Sequence, residues 1–239
     1  MGEWVEKLIN LPVARLENRY RVRERDLEVR VNLPVALRLD GVGFGKALEE
    51  FEEPRDLRVH EALLEAAESI VRRFSASGAY VASDEINVLL MGPSLPYAGR
   101  MQKLVSISAS IASSTVSLIL GAKLFFDSRV VPLEDVDDAK LYVEYRARIA
   151  LNNYVGSVLH HLGIKPLEHA SLRAQIARLE AEGWSLADQP PWAWAGSVLY
   201  WTSTRRRARR CRELKRSDRV EELLRSLDRY RSPELGERL

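Results

Sequence analysis

The spacing of apolar residues alternates between that of strands and that of helices from residue 33 to residue 162. Short apolar runs at 33–40, 79–82, 86–91 and 125–131 end at polar or turn-forming residues, which is typical of buried strands. Helical spacing occupies 57–74, about 99–123 and about 136–162. The resulting βαββαβ order predicts an α+β fold: a ferredoxin-like palm, with an antiparallel sheet and helices on one face.

Segments outside this unit are predicted to be appendages. Residues 1–30 are charged and have helical spacing, and a helix at 172–180 and a strand at 197–201 follow the palm. From Arg205 onward we predict a basic helix. The expected organisation is an N-terminal helical segment (1–30), a palm catalytic domain (31–163) and a C-terminal helical appendage (164–239).

The charge distribution changes the meaning of the formal net charge of +2. Residues 205–239 hold 13 Lys and Arg against 7 Asp and Glu, which leaves 23 against 27 in the rest of the 239-residue chain. A mildly acidic body thus carries a basic tail. So dense a run of one sign suggests contact with nucleic-acid phosphates, and the alternative is a solvated helix. The residues expected to contact RNA phosphates in this run are Arg205, Arg206, Arg207, Arg209 and Arg210.

Composition narrows the class of protein further. The single cysteine, Cys211, excludes an internal disulfide framework and a cysteine-rich zinc site. Residues 104–122 carry no charge, but seven of them are Ser or Thr, so we predict a helix packed in a soluble protein rather than a membrane span. No basic residue precedes Glu3, so we expect no secretory signal and a cytoplasmic location.

The glycine-rich segment after the first strand is a candidate phosphate loop. Asp40 ends the strand, and Gly41, Gly43 and Gly45 follow before Lys46. The segment fits neither the dinucleotide fingerprint, because Lys46 stands at the last glycine position, nor Walker A, because Ala47 follows the lysine. A loop with few side chains can still direct several backbone N–H groups at a polyphosphate. The alternative is a plain tight turn.

A second acidic position returns to the same place in the predicted fold. Asp84, between Ser83 and Glu85, follows Asp40 by 44 residues, enough for one helix and a returning strand. Two carboxylates at adjacent strand ends favour a Mg²⁺ site for phosphoryl transfer, and the alternative is a solvated hairpin turn. Arg100 and Lys103 share a face at the start of the next helix and form a candidate anion site. The alternative is that they are solvated charges that flank this helix.

Several motifs along the chain resemble the tRNA-histidine guanylyltransferase family of reverse (3′–5′) polymerases. The resemblance covers about residues 33 to 202. The motifs, in chain order, are Arg38-Leu-Asp-Gly41 with Gly43-Phe44, Ser83-Asp-Glu85, Arg100-x-x-Lys103, Phe126-Asp-Ser-Arg-Val-Val131, Asn152-Asn153 and Gly196-Ser-Val-Leu-Tyr-Trp201.

The resemblance implies a palm enzyme with two Mg²⁺ ions and the substrates ATP, GTP and tRNA. ATP would activate the tRNA 5′-phosphate, and the 3′-hydroxyl of GTP would then displace AMP. It implies catalytic roles for Asp40, Asp84 and Glu85, with the metal held by Asp40, Gly41 and Asp84. It also implies a set of nucleotide-binding residues: Asp40, Gly41, Val42, Gly43, Phe44, Gly45, Ser83, Asp84, Arg100 and Lys103. Asn152 and Asn153 would contact tRNA, and the resemblance suggests a homo-oligomer built as a dimer of dimers.

Three positions depart from the family pattern. Val42 and Gly45 stand where the family commonly has Arg and His, and Ala150 replaces the histidine of His-Ile-Asn-Asn. The last change resembles the archaeal and bacterial branch, in which templated repair of tRNA 5′ ends is an alternative to guanosine addition. Two other classes remain alternatives: a palm-type nucleotidyl cyclase and a non-enzymatic RNA-binding module. The latter requires exposed aromatic residues on its central strands, where this chain has Leu, Ile and Val.

Overall fold

The computed structural model describes residues 2–51, 54–206 and 209–231, with the backbone alone at 204–206 and 209–211. Its centre is a six-stranded antiparallel sheet with the strand order β4-β1-β3-β2-β5-β6. The strands are β1 (Val35–Val42), β2 (Gly78–Ala82), β3 (Glu85–Leu90), β4 (Phe125–Pro132), β5 (Ser197–Arg206) and β6 (Arg209–Ser217).

Nine α-helices occur in the described ranges. They are α1 (Glu3–Ile9), α2 (Val13–Asp26), α3 (Phe44–Ala47), α4 (Leu57–Phe74), α5 (Met101–Leu120), α6 (Val136–His161), α7 (Leu172–Ala181), α8 (Pro191–Ala195) and α9 (Val220–Leu227). The Asp56 side chain caps α4 by accepting a hydrogen bond from the Arg58 N–H, as its position before the apolar pattern predicts. Helices α1 and α2 bury none of their residues.

The α+β palm predicted from the apolar pattern is confirmed. Strand β1, helix α4, strands β2 and β3, helix α5 and strand β4 follow the predicted βαββαβ order, and their strands pair as β4-β1-β3-β2. Residues 35–40 of the central strand β1 therefore have a neighbour on both sides, whereas Gly41 and Val42 pair with β4 alone. Asp40 lies opposite Glu85 on β3 and opposite Asp127 on β4.

Helices cover both faces of the sheet, whereas the sequence analysis expected them on one. The face that includes Leu37, Val88 and Leu199 packs against α4 and α5. The opposite face, which includes Ala36 and Leu89, packs against α6 and α9. Polar residues of α6 contact the sheet as well as apolar ones, so the apolar spacing along this helix is weak. For that reason the sequence did not indicate a layer of helices on the second face of the sheet.

Helix α5 is long and apolar enough to cross a membrane by length and composition alone, with 22% of its most apolar window buried. It packs against α4 and β4 along a stripe of small and apolar residues: Leu104, Ser108, Ala112 and Val116. The Ser113 hydroxyl accepts a hydrogen bond from the Phe126 N–H at 3.0 Å, and the Ser117 hydroxyl accepts one from the Leu124 N–H at 2.9 Å. The serines that lower the hydropathy of this helix thus join it to the neighbouring strand.

The prediction of a basic helix from Arg205 onward is wrong. Strands β5 and β6 form an antiparallel hairpin there, with Arg205 opposite Arg210 and Arg206 opposite Arg209. β-Formers at Val198, Tyr200 and Thr202 extend β5 into the arginine run, and a strand places successive side chains on opposite faces. Arg207 lies outside the described residues, as do the side chains of Arg205, Arg206, Arg209 and Arg210.

The hairpin is anchored to the palm by charged and aromatic contacts. The Arg216 guanidinium donates to Glu65 at 2.6 Å and to Glu68 at 2.7 Å on α4, and Arg212 lies 4.9 Å from the centroid of the Trp201 ring. Because β5 pairs with β2, the segment after residue 163 extends the palm sheet. The domain boundaries at 30/31 and 163/164 stay predictions.

Gly196 is the glycine at which a side chain would be most disruptive near β5. Its φ of 78° is left-handed, and an added Cβ would lie 2.5 Å from the Val81 carbonyl oxygen. We expect Gly196→Ala to lower the free energy of unfolding by about 2–4 kcal/mol, measured by urea denaturation. Gly92→Ala is the matched control, because a Cβ at Gly92 meets no atom within 4 Å. Equal effects of the two substitutions would contradict this account.

Candidate nucleotidyl-transfer site

The two acidic segments meet at one end of the sheet. The Gly41 N–H, directly after Asp40, donates a hydrogen bond of 3.1 Å to the carbonyl oxygen of Asp84. Ser83, with a left-handed φ of 57°, and Asp84 form the tight turn between β2 and β3. The turn is therefore a hairpin, and it also brings the second acid beside the first. The hairpin turn is thus confirmed, and the Mg²⁺ site stays a prediction.

A cavity of about 220 Å³ opens over these acids on the α6 side of the sheet. Its walls combine the sheet acids with α6 and include Asp40, Ser83, Asp84, Glu85, Arg146 and Asn153. Burial raises the pKa of the Asp40 carboxyl, and the negative charges of Asp84 and Glu85 raise it further. The site therefore concentrates negative charge where a bound cation would relieve the repulsion.

The glycine loop forms a second cavity, of about 270 Å³, on the other side of Asp84. Gly41 allows the ring of Phe44 to approach its backbone, because an added Cβ would lie 2.4 Å from that ring. Gly43 has a left-handed φ of 67°, and a Cβ on Gly45 meets no atom within 4 Å. The lining is about equally polar and apolar and contains several aromatic rings, which suits a ligand with a base and charged groups. It includes Phe44, Gly45, Leu48, Phe51, Trp192, Ser83 and Asp84.

Glu85 differs from the other two acids because it is held in a buried ion pair. The Arg146 guanidinium on α6 donates two hydrogen bonds to its carboxylate, one from Nε at 2.9 Å and one from Nη2. Asn87 Nδ2 donates to the same carboxylate at 2.6 Å, and the Tyr142 hydroxyl donates to Asn87 at 2.6 Å. Glu85 therefore joins α6 to the sheet.

Oxygen donors for a metal ion are present, but they do not form a closed site. No group of three or more His, Cys, Asp or Glu side chains is placed to hold a metal among residues 2–51, 54–206 and 209–231. Asp40 and Asp84 supply hard carboxylate oxygens and Gly41 supplies a backbone carbonyl, the ligand types that suit Mg²⁺. Mg²⁺ sites of this kind also use water and substrate phosphates, so two carboxylates fit such a centre.

A family model for tRNAHis guanylyltransferase (Thg1) matches residues 17–135, which include both acidic segments. The chain belongs to the tRNAHis guanylyltransferase family. It is accordingly a nucleotidyltransferase of the tRNA-histidine guanylyltransferase type. An uncharacterized protein of Acanthamoeba polyphaga mimivirus is 22% identical over 233 residues, which cover 82% of this chain and 79% of the relative.

Solved structures share the fold of this member of the tRNAHis guanylyltransferase family. A bacterial tRNA(His) guanylyltransferase-like protein in complex with ATP superposes with a TM-score of 0.72 at 20% identity, covering 84% of this chain and 91% of that one. A complex of such a bacterial protein with GTP has a TM-score of 0.72 at 18% identity, covering 89% and 98%. The enzyme from Saccharomyces cerevisiae has a TM-score of 0.64 at 21% identity, covering 78% and 93%.

The guanylyltransferase fold separates some residues that the sequence analysis placed in one site. The backbone of Arg100 forms an isolated antiparallel β-bridge with that of Arg30, five residues before β1 begins. Asp40 lies near the other end of β1. Arg100 and Lys103 instead line a cleft with Arg21 and Arg25 of α2. Within one chain they do not meet Asp40 or Asp84. Their role in triphosphate binding stays a prediction.

Asn152 and Asn153 lie where a substrate could reach the acids. Asn153 lines the acid cavity, and both residues line a groove of about 570 Å³ along α6. Ala150, in place of the family histidine, lines the acid cavity too. Val42, which stands where the family commonly has Arg, is 54% exposed. The predicted tRNA contacts are therefore adjacent to the metal-binding candidates in space.

Sequence reasoning missed Asp127 and Arg146 of this guanylyltransferase site. Asp127 faces Asp40 across the β1–β4 pairing, and its negative charge adds to the rise in the pKa of Asp40. It lies in the quoted Phe126-Asp-Ser-Arg motif, which could have indicated it. Nothing in the sequence distinguishes Arg146 from Arg148, the other arginine of α6, because only the fold shows that Arg146 faces Glu85.

A buried hydrogen-bond chain supports the wall of the second cavity. Ser197 donates to the Asp218 carboxylate at 2.6 Å, so its hydroxyl oxygen is free to accept from the Nε2–H of His60, at 2.8 Å. Burial lowers the pKa of His60 to about 4, which outweighs the opposing effect of Asp218. His60 is therefore neutral at physiological pH, and its ring stacks on Trp192 at 5.0 Å between centroids.

Acid should destabilise the enzyme through His60. An unfolded His60 binds a proton near pH 6.5, but the folded one does so only near pH 4, so between these values the unfolded state binds more protons. We expect the free energy of unfolding to fall by about 2 kcal/mol from this residue between pH 7 and pH 5. Urea denaturation of the wild type and of His60→Gln at both pH values measures it. Identical pH dependence of the two proteins would contradict the prediction.

Proposed function

We propose that the protein transfers guanosine from GTP to the 5′ end of tRNA, histidine tRNA above all, in the 3′–5′ direction. The observation that carries the proposal is the convergence of Asp40 and Asp84 at adjacent strand ends, between the aromatic-lined cavity and the α6 groove. One opening suits a nucleoside triphosphate and the other an RNA end. The structural neighbours in complex with ATP and with GTP support this assignment of substrates.

The reaction follows from the atoms that must be joined. An oxygen of the tRNA 5′-phosphate attacks the α-phosphorus of ATP, and pyrophosphate leaves. The 3′-hydroxyl oxygen of GTP then attacks the 5′-phosphorus of the activated tRNA, and AMP leaves. Both steps bring negatively charged phosphates beside three carboxylates, so electrostatic repulsion opposes them unless a cation is bound.

The carboxylates of Asp40 and Asp84 and the carbonyl of Gly41 would hold Mg²⁺, as two ions, in this site. Bound Mg²⁺ would supply neutralisation of phosphate charge and polarisation of the reacting oxygens. The Gly41–Asp84 backbone hydrogen bond fixes the spacing of the two acid-bearing segments. Ser83 and the loop residues Val42, Gly43, Phe44 and Gly45 would line the bound nucleotide, and Arg146 keeps the Glu85 carboxylate directed toward α6.

Labelled GTP tests the proposal directly. The protein is incubated with 5′-monophosphorylated histidine tRNA, ATP, labelled GTP and Mg²⁺, and the tRNA is then examined for label. We expect label on the tRNA that depends on ATP and Mg²⁺. Folded protein that binds tRNA without labelling it would indicate the RNA-binding alternative, and a cyclic nucleotide formed without RNA would indicate the cyclase alternative.

A second candidate within the family is templated repair of shortened tRNA 5′ ends. The methyl group of Ala150 in the wall of the acid cavity favours it, because the histidine of the histidine-tRNA branch is absent there. tRNAs lacking one or two 5′ nucleotides distinguish the two activities. Restoration of the nucleotides that the opposite strand specifies would support repair. The dimer of dimers and the cytoplasmic location stay predictions.

A further inference from the structure

Arg55 lies between the two openings of the proposed site. It directly precedes Asp56, the capping residue of α4. Its side chain lines both the aromatic cavity beside Asp84 and the groove along α6 that contains Asn152, Asn153 and Ser157. Any molecule that extends from one opening to the other passes this guanidinium.

The charge of Arg55 is incompletely compensated by the residues that the structure describes. Its Nη1 donates to the Pro54 carbonyl oxygen at 2.8 Å, while its buried Nε has no hydrogen-bond partner. Among the described residues no carboxylate forms a salt bridge with it. Burial lowers the pKa of the guanidinium, and the negative charge of Asp84 only opposes that effect. A partly buried cation with an unpaired donor is costly, so Arg55 is a candidate for binding an anionic ligand.

The groove beside Arg55 favours a phosphate as that ligand. A guanidinium presents parallel N–H donors that match two oxygens of a phosphate. Asn152, Asn153 and Ser157 add neutral polar groups and no competing negative charge. The groove is polar, and the aromatic surface that suits a base lies in the other cavity. Of the two phosphate sources in the reaction, the RNA end therefore fits this side better than the triphosphate.

We propose that Arg55 binds the 5′-terminal phosphate of the RNA substrate and holds it beside Asp84. This inference rests on the proposed function, since it takes the RNA end as the occupant of the α6 groove. Arg55 then neutralises charge on the very group that is activated and later attacked. It also selects RNA that carries a 5′-phosphate over RNA that ends in a 5′-hydroxyl.

Binding measurements without turnover test the proposal. Full-length histidine tRNA with a 5′-monophosphate and the same tRNA after phosphatase treatment are titrated against the wild type, Arg55→Gln and Arg55→Lys. The matched control is Arg73→Gln, which removes one exposed charge from α4, the helix that begins two residues after Arg55. ATP and GTP affinities of each protein are measured separately.

The wild type should prefer the 5′-phosphorylated tRNA by about tenfold or more, the range of a hydrogen-bonded charge pair. Arg55→Gln should abolish this preference, Arg55→Lys should weaken it, and Arg73→Gln should retain it. The affinities for ATP and GTP should change by less than about twofold in all variants. Because the substitution removes a partly buried, poorly paired charge, Arg55→Gln should also raise Tm by about 2–5 °C in the absence of ligand.

Three results would overturn the inference: no preference in the wild type, an undiminished preference in Arg55→Gln, or a selective loss of nucleotide affinity in that variant. The last would assign Arg55 to the triphosphate. An unfolded Arg55→Gln would contradict the expected rise in Tm, and Arg55→Lys would then provide the binding result. A wild type that shows the preference yet transfers no guanosine would contradict the proposed function while leaving this inference standing.

Discussion

Asp40→Asn and Asp84→Asn are each expected to lower guanosine transfer by about a thousandfold or more, while the affinity for tRNA changes by less than about twofold. Each substitution removes a carboxylate from the pair that would hold Mg²⁺, and neither touches the α6 groove. The measurement is single-turnover transfer of labelled GTP to histidine tRNA, together with a tRNA binding titration. The exposed Asp188→Asn is the matched control and should retain full activity.

The stability of these variants separates loss of chemistry from loss of fold. The pKa of Asp40 is raised because its carboxyl is partly buried and faces the negative charges of Asp84 and Glu85. A neutral side chain removes that repulsion, so Asp40→Asn should unfold at the same or a higher urea concentration than the wild type. An Asp40→Asn protein that is well folded and still transfers guanosine at more than about a tenth of the wild-type rate would contradict the proposed site.

Arg146→Met is expected to lower the free energy of unfolding by about 3 kcal/mol. The side chains of Arg146 and Glu85 are 13% and 12% exposed, so the substitution removes the hydrogen-bonded cation of a buried carboxylate and leaves only Arg38, whose Nε lies 4.0 Å away. Glu85→Gln combined with Arg146→Met should regain part of this loss, because the buried carboxylate is then replaced by a neutral amide. Urea denaturation of both variants measures the effect.

Arg148→Met on the same helix is the control, because Arg148 is exposed; its free energy of unfolding should change by less than about 0.5 kcal/mol. A double variant less stable than Arg146→Met alone would show that the side chains stabilise the fold by packing rather than by charge. The ion pair between Arg146 and Glu85 has a functional consequence as well. By holding α6 against β3, it keeps Asn153 beside Asp40 and Asp84.

Local signals in the sequence were sufficient for the palm and for the meeting of its acids. The capping Asp56 and the apolar face of α4 define that helix, and the short runs before Asp40 and around Asp84 define strands that can pair only in a few ways. Because both acids follow or precede strands that are neighbours in a βαββαβ sheet, their convergence follows from the order of the elements.

Other features depended on contacts between distant parts of the chain. In the hairpin at Arg205, β6 is stabilised by its pairing with β5 and by the contacts of Arg216 with α4. The local density of charge in the sequence indicates neither of these contacts. Arg100 and Lys103 follow β3, which runs away from the acids, so their helix begins at the far end of the sheet. The partner of Glu85 is 61 residues away, and only the packing of α6 selects Arg146.

The serine contacts of α5 have a consequence for the behaviour of the protein in solution. Strand β4 is one edge of the sheet, and unpaired N–H groups on an edge can recruit strands from other molecules. Here the Phe126 N–H is occupied by Ser113 and the neighbouring Leu124 N–H by Ser117. The opposite edge, β6, carries the arginine-rich sequence, whose like charges repel a second copy. The start of the β4 edge is thus occupied by hydroxyl groups of the molecule's own helix, and the β6 edge carries like charges; each disfavours the addition of a strand from another molecule.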